Sequence, residues 1–245
     1  MRILFLITAR GGSKSVPDKN LRQLAGISLV GFRAISARKS GHCTRLIIST
    51  DSEKIQADAC KYGVDVPFTR PEELATDTAS SVGVISHAMT WIETESENEI
   101  GEKYDAVMLL EPSSPFTRPS DYNEAIKIMI EHDANVVVGM RETEVNSVFV
   151  GPLDQEGRIT QIIDQMQCMK PLHRQALSTE YTMNGGLYLF KWDYFKEHQS
   201  IYADRDKSFG YVMDRHYSLE IDNLIDLHWA EFLVDNGYVD ISYWK

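Results

Sequence analysis

Cysteine is scarce: Cys43, Cys60 and Cys168 are the only three in 245 residues. An odd number without metal-ligand spacing fits a reducing cytoplasm better than a disulfide framework; the thiols read as small buried side chains or ordinary surface groups. No apolar run approaches the roughly 20 residues of a membrane-spanning helix. The opening run, Ile3 to Ala9 after Met1-Arg2, is closed by Arg10 without a small-residue cleavage site, so it reads as a core strand and not as a secretion signal. Positive charge is in deficit too. Against 36 Asp and Glu stand 25 Lys and Arg, a net charge of −11, which argues against general binding to nucleic acid or to an anionic membrane. His87, His132 and His173 lack metal-ligand spacing. Neither Gly-x-x-x-x-Gly-Lys-Ser/Thr nor Gly-x-Gly-x-x-Gly occurs, which excludes a P-loop and a dinucleotide fingerprint.

What is present is an ordinary globular composition, 43% hydrophobic and 25% charged, with apolar surface enough for a sizeable core. The length suits one α/β domain over residues 1–245. The cations are unevenly spread. Nine lie in residues 1–50 beside a single acidic residue, Asp18, whereas sixteen face 35 acidic residues thereafter. An acidic protein that gathers cations around its first strand and loop is suited to hold a small anion there. Arg33, Arg38 and Lys39 are set apart as solvated charges on a helix.

Strand and helix signals alternate through the first 140 residues. Ile3 to Ile7 and Leu46-Ile47-Ile48 are continuous apolar runs, as expected of strands buried on both faces. Leu29, Phe32 and Ile35 recur every three positions in a helix from Ser28 to Ser40, stopped by Gly41. Ser52 caps a helix that reaches Tyr62, and a short strand is expected from Val64 to Phe68. Val82, Ile85, Met89 and Ile92 mark another helix, Glu93 to Lys103 a solvated connection, and Ala106 to Leu110 a strand halted by Glu111-Pro112. A helix from Ser120 to Glu131 and a strand at Val136-Val137-Val138 complete the series. Such alternation implies a mostly parallel, doubly wound sheet with helices on both faces, and ligands beyond the strands' carboxyl ends. After residue 140 the pattern changes. Ser147 to Gly151 and Arg158 to Ile163 read as hairpin strands around Gly157, Gln165 to Thr182 has weak periodicity, and Gly186 to Phe190 returns to strand.

The loop Ala9 to Asn20 carries the strongest chemical signal. Gly11 and Gly12 permit positive φ and close approach of backbone N–H groups to an anion. Arg10, Lys14 and Lys19 can neutralise phosphate charge, while Ser13 and Asn20 offer neutral hydrogen bonds. Glu220 and Asp222 alternate on an expected strand and so face one side, where two carboxylates repel unless a cation sits between them; Mg²⁺ bridging to phosphates would supply it.

At this loop the sequence resembles the acylneuraminate cytidylyltransferases, the family that includes CMP-sialic acid synthetases and their relatives for legionaminic, pseudaminic and ketodeoxyoctulosonic acids. The resemblance begins with Ala9 to Leu21. It continues in family order through Ser49-Thr50-Asp51, Arg70 to Ala75, Asp77 to Ser81, Pro112 to Pro115, Asn184 to Tyr188 and Glu220-Ile221-Asp222. It implies a Rossmann-like nucleotidyltransferase fold and attack by the anomeric hydroxyl of an acidic 2-keto sugar on the α-phosphate of CTP, with release of pyrophosphate. It gives Arg10, Lys14, Lys19 and Asp222 to catalysis, and Gly11, Gly12, Ser13, Asn20, Arg70, Ala79 and Ser81 to the nucleotide. Glu111, Arg174 and Tyr188 fall to the sugar, and Asp222 with Glu220 to Mg²⁺. It also implies a homodimer in which residues 150–182 form an arm reaching the neighbouring site. Four departures stand out: Glu220 where the family carries aspartate, Glu111 where sialic acid enzymes carry glutamine, Arg118 displaced by one residue, and Ser15 in place of glycine.

Two further readings compete. The same nucleotide half could activate another anionic acceptor, an eight-carbon keto acid or a phosphonate. A nucleotide-binding regulator without turnover would belong to a different class, and the presence of Lys14, Lys19 and Asp222 argues against it.

Overall fold

The computed structural model describes residues 1–98, 103–169 and 177–245. Its first strand, β1 (Ile3–Thr8), is sheathed on both sides because its side chains alternate between two apolar layers. Ile3, Phe5 and Ile7 meet α1 (Leu29–Lys39), α2 (Glu53–Lys61) and α4 (Pro119–Glu131). Leu4 and Leu6 meet α3 (Ser81–Asn98) and α6 (Trp192–His198) on the other face. With β4 (Cys43–Ser49), β5 (Ala106–Leu110), β6 (Val136–Glu142), β7 (Tyr181–Lys191) and β8 (Ser208–Val212), β1 forms a six-stranded sheet of order β4-β1-β5-β7-β6-β8. Only β7 runs antiparallel to its neighbours. A two-stranded ribbon, β2 (Gln23–Leu24) with β3 (Ile27–Ser28), leads into α1. Val16, Phe32, Phe116, Ile221 and Trp244 share a third apolar cluster with α7 (Leu224–Asp235).

The mostly parallel sheet with helices on both faces is as the alternation predicts. Several local expectations are corrected. Val64 to Phe68 makes one bridge, Ile47 to Asp65, and no strand; Pro67 has no N–H to extend a ladder. Ser52 makes no side-chain cap at α2. Helix α3 runs on to Asn98, through the first part of the stretch expected as a solvated connection, and Glu93 there accepts from Trp192 Nε1 at 3.0 Å and Lys196 Nζ at 2.7 Å. The hairpin expected around Gly157 is absent. Gly157 does sit in a turn at φ 79°, but Ser147–Phe149 is a 3-10 turn and α5 (Thr160–Gln167) is a helix. Ile159, Ile162, Ile163 and Met166 carry helical spacing that a six-residue window is too short to reveal.

Arg33 is the largest correction. It is fully buried, donating to the carbonyls of Ser114 at 2.8 Å and of Gly186, and its guanidinium lies 5.7 Å from the Tyr122 ring. Charge on a helix read as solvated is here inside the core, because a guanidinium with a carbonyl acceptor for each terminal nitrogen can be buried where a lone cation cannot. Nearby, β7 bulges opposite Val138–Met140. Gly185 at the bulge has φ 64°, and a Cβ there would stand 2.9 Å from Ser114 Oγ, 3.1 Å from Glu220 Oε1 and 3.4 Å from Glu111 Oε2. The Asn184-Gly185-Gly186 block is therefore a packing requirement.

Replacing Arg33 by Met keeps much of the volume but leaves the Ser114 carbonyl without its donor and the Gly186 carbonyl with Thr117 Oγ1 alone, and an orphaned buried acceptor costs about 1–3 kcal/mol. Urea denaturation of Arg33→Met is expected to show a loss of about 1–3 kcal/mol; a loss below about 0.5 kcal/mol contradicts this account.

Candidate active site

The carboxyl ends of three neighbouring strands converge on one region, as expected of a parallel sheet. Thr8 ends β1, Ser49 ends β4, and Glu111 follows β5. Two cavities open there and share Thr8, Arg10 and Glu111 as their common wall. One, about 260 Å³, is lined by Arg70, Asp77, Ala79 and Ser81 among others. The other, about 400 Å³, is lined by Ser13, Lys14, Ser15, Lys19, Asn20 and Asp222.

The first cavity is anchored by Arg70. Its guanidinium donates to Ser49 Oγ at 3.0 Å and to the Ser49 carbonyl at 2.5 Å, and its backbone N–H donates to Thr50. Burial lowers its pKa to about 10, so it stays charged at neutral pH. The helix that follows is capped by Ser80, whose Oγ accepts from the Gly83 N–H at 3.1 Å; Asp77, at 42% side-chain exposure, is left to face the cations across the cavity mouth.

The second cavity is shaped by a loop held at several points. Val16 is buried beside Ile221, and Asp18 takes a left-handed turn at φ 52°. Lys19 Nζ donates to the Ile221 carbonyl at 2.9 Å and lies 3.6 Å from Asp222 Oδ1. Ser15 Oγ donates to the Asp222 carbonyl at 2.5 Å. The serine that departs from the family's glycine is thus a stitch between the loop and the carboxylate segment. Asn20 is buried and donates to the Arg10 carbonyl at 2.9 Å, so it braces the loop. Neither Gly11 nor Gly12 adopts positive φ. Gly11 matters for space: its N–H donates to Asp51 Oδ1 at 2.9 Å and a Cβ would stand 3.0 Å from Ser52 Cβ.

Residues 219–222 form no strand. One backbone bond, Ile221 N–H to the Ser113 carbonyl at 2.7 Å, holds them, and Glu220 and Asp222 flank the buried Ile221. Asp222 lines the larger cavity whereas Glu220 turns toward Gly185 and Glu111. Burial first, then the Glu220 charge, pushes the Glu111 carboxyl above the usual range; burial and Asp222 do the same to Glu220. Tyr188 stands beside this pair, its hydroxyl pKa raised by burial and by Glu111. Arg174 lies outside the described residues. Sequence reasoning missed Thr8 and Tyr202, the latter a hydrogen-bond partner of Tyr188, and it gave Asp51 and Asp77 no functional role beyond membership of the family-like blocks. An acidic residue inside an otherwise neutral Thr-Asp-Thr-Ala-Ser-Ser run was the available signal.

A family model described as cytidylyltransferase matches residues 4–236. This chain belongs to the cytidylyltransferase family. Among its relatives is the CMP-N,N'-diacetyllegionaminic acid synthase of Legionella pneumophila, 30% identical over 96% of this chain and 97% of that one. The N-acylneuraminate cytidylyltransferase of Escherichia coli is 30% identical over 94% of this chain, which spans only 51% of that longer protein. Among solved structures, CMP:2-keto-3-deoxy-manno-octonic acid synthetase complexed with CTP has a TM-score of 0.67 at 13% identity, covering 97% of this chain and 100% of that one, which supports the shared fold. The glutamate at 111 is a feature of this cytidylyltransferase with a thermodynamic consequence. A carboxyl whose pKa is higher folded than unfolded contributes stability below the unfolded value and loses it as pH rises through the folded one. Glu111→Gln is therefore expected to raise the melting temperature at pH 7.5 and to leave it unchanged near pH 4, measured by calorimetry. An equal shift at both pH values contradicts the assignment.

Proposed function

We propose that this protein transfers CMP from CTP to the anomeric hydroxyl of an acidic nine-carbon 2-keto sugar, releasing pyrophosphate. The observation that carries the reading is the pair of cavities divided by Arg10, one lined by Arg70, Ala79 and Ser81 and the other by Lys14, Lys19 and Asp222. The nucleobase fits the first, where backbone carbonyls can accept from cytosine's exocyclic amine. The phosphates fit the second, where cations offset their charge. The sugar oxygen forms a bond to the α-phosphorus as the bond to the leaving pyrophosphate breaks, and the hydroxyl proton passes to solvent. Such chemistry asks for positioning and charge neutralisation, which Arg10, Lys14 and Lys19 provide. Glu111 and Tyr188 line the acceptor side, and a carboxylate at 111 selects a hydrogen-bond donor on the sugar where an amide would accept either polarity.

Mg²⁺ fits the chemistry of the donors. Among the described residues no group of three or more His, Cys, Asp or Glu could hold a metal, but Mg²⁺ commonly takes one or two carboxylates, waters and substrate phosphates. Asp222, on the cavity, and Glu220 beside it would hold such a cation, which supplies charge neutralisation on the phosphates. A homodimer is part of the proposal. The strands β6 and β7 pair as far as Glu142 and Tyr181, and the segment they carry exposes Val150, Leu153, Ile159 and Ile163, apolar area that a partner subunit would cover. No described helix is long and apolar enough to cross a membrane; the free thiols of Cys43, Cys60 and Cys168 and the use of CTP suit the cytoplasm.

Pyrophosphate release with a panel of 2-keto sugar acids tests the reading. CTP is expected to exceed UTP by about tenfold or more at subsaturating concentration, with nine-carbon acids preferred over eight-carbon acids; equal use of UTP refutes the base assignment, and no turnover with any acid favours a regulator. Chelation should abolish activity, and Asp222→Asn should lose far more than Glu220→Gln. Sedimentation at assay concentration should show a dimer, and Leu153→Asp with Ile163→Asp should yield monomers; a fully active monomeric wild type counts against the arm.

A further inference from the structure

Each cation of the loop already has an acidic partner. Arg10 Nη1 lies 2.5 Å from Asp77 Oδ1, and Lys14 Nζ bonds Asp77 Oδ2, so one carboxylate engages both cations with both oxygens. Lys19 is matched by Asp222. Asp77 comes from the loop that lines the smaller cavity, Lys14 from the loop that lines the larger, and Arg10 from the wall between them. The bridge therefore spans the junction at which a nucleotide laid across both cavities would place its phosphate chain. Two carboxylate oxygens on two adjacent cations reproduce the geometry with which phosphate oxygens would be bound.

Resting on the nucleotide reading above, we propose that Asp77 is an internal counter-anion that competes with the phosphate chain for Arg10 and Lys14 and retakes them as pyrophosphate departs. A phosphate chain carries more charge than one carboxylate and wins the exchange when the base is also bound. Pyrophosphate alone lacks the base contacts, so the carboxylate opposes its retention. Asp77 thereby trades affinity for product release. It is a positioning residue, because it acts through Arg10 and Lys14. Its carboxyl is held below the usual range by those same two partners, Lys14 first, in keeping with a charged competitor at neutral pH.

Calorimetric titration with inorganic pyrophosphate and, separately, with cytidine tests the proposal on the full chain. Asp77→Asn keeps the shape and removes the charge. It is expected to tighten pyrophosphate binding by about three- to tenfold, the worth of one or two exposed ion pairs, and to leave cytidine affinity unchanged. Asp77→Glu, which restores the charge, should return pyrophosphate affinity toward wild type. Unchanged or weaker pyrophosphate binding in Asp77→Asn, or a parallel loss of cytidine affinity, overturns the proposal and makes Asp77 a structural tie between the loops. If wild type binds pyrophosphate and cytidine but the variants do not differ, only the counter-anion role falls. A wild type that binds neither probe overturns this proposal and the nucleotide reading together.

Discussion

A buried guanidinium cannot exist without acceptors, and the acceptors of Arg33 dictate much of what surrounds it. They are carbonyls of the loop after β5 and of the β7 bulge, so helix α1, that loop and β7 must arrive at one point together. Ser36 and Thr117 add bonds to the same assembly, to the carbonyls of Thr117 and Gly186. Asn184 closes it from the other side, donating to the Met140 carbonyl and Ser218 Oγ and accepting from the Gly186 N–H. The consequence reaches the site. With Gly185 pressed against Ser114, the carboxylates of Glu111 and Glu220 are brought to the same few ångströms of space, where the cationic charge of Arg33 offsets part of the cost of burying Glu111.

Around the cation-rich loop the ordering principle is charge matching. A loop with three cations would repel itself if the cations lay free, and each is matched with a carboxylate from a distant part of the chain: Asp77 for two and Asp222 for the third. The loop is further held by apolar burial of Val16 and by a turn at Asp18, not by glycine flexibility. The ionic contacts that hold it are thus the ones that an incoming anion would have to replace.

Legibility in the sequence followed the range of the forces involved. Strands buried on both faces, such as β1 and β5, are visible as uninterrupted apolar runs, and helices α1 and α3 as three-and-four spacing. Where a short window fits both periods, as at Arg158 to Ile163, the strand reading failed because the repeat at Met166 falls outside it. The cation-rich loop, Arg70, Ala79, Ser81 and Asp222 were legible through charge asymmetry and family resemblance, and they do line adjoining cavities. Arg33 was not, since its burial depends on carbonyls more than 80 positions away in the chain.

By itself, then, the sequence determined the alternation of strand and helix, the placement of a cation-rich loop after the first strand, and the supply of carboxylates near the end of the chain, because composition and local periodicity are properties of neighbouring residues. Only the tertiary structure decided that Asn20 braces the loop, that Ser15 and Lys19 tie it to residues 221 and 222, and that Asp77 holds Arg10 and Lys14. These are contacts between segments distant in sequence. Their partners are selected by which side chains the packed sheet brings within hydrogen-bond reach, and no local pattern encodes that distance.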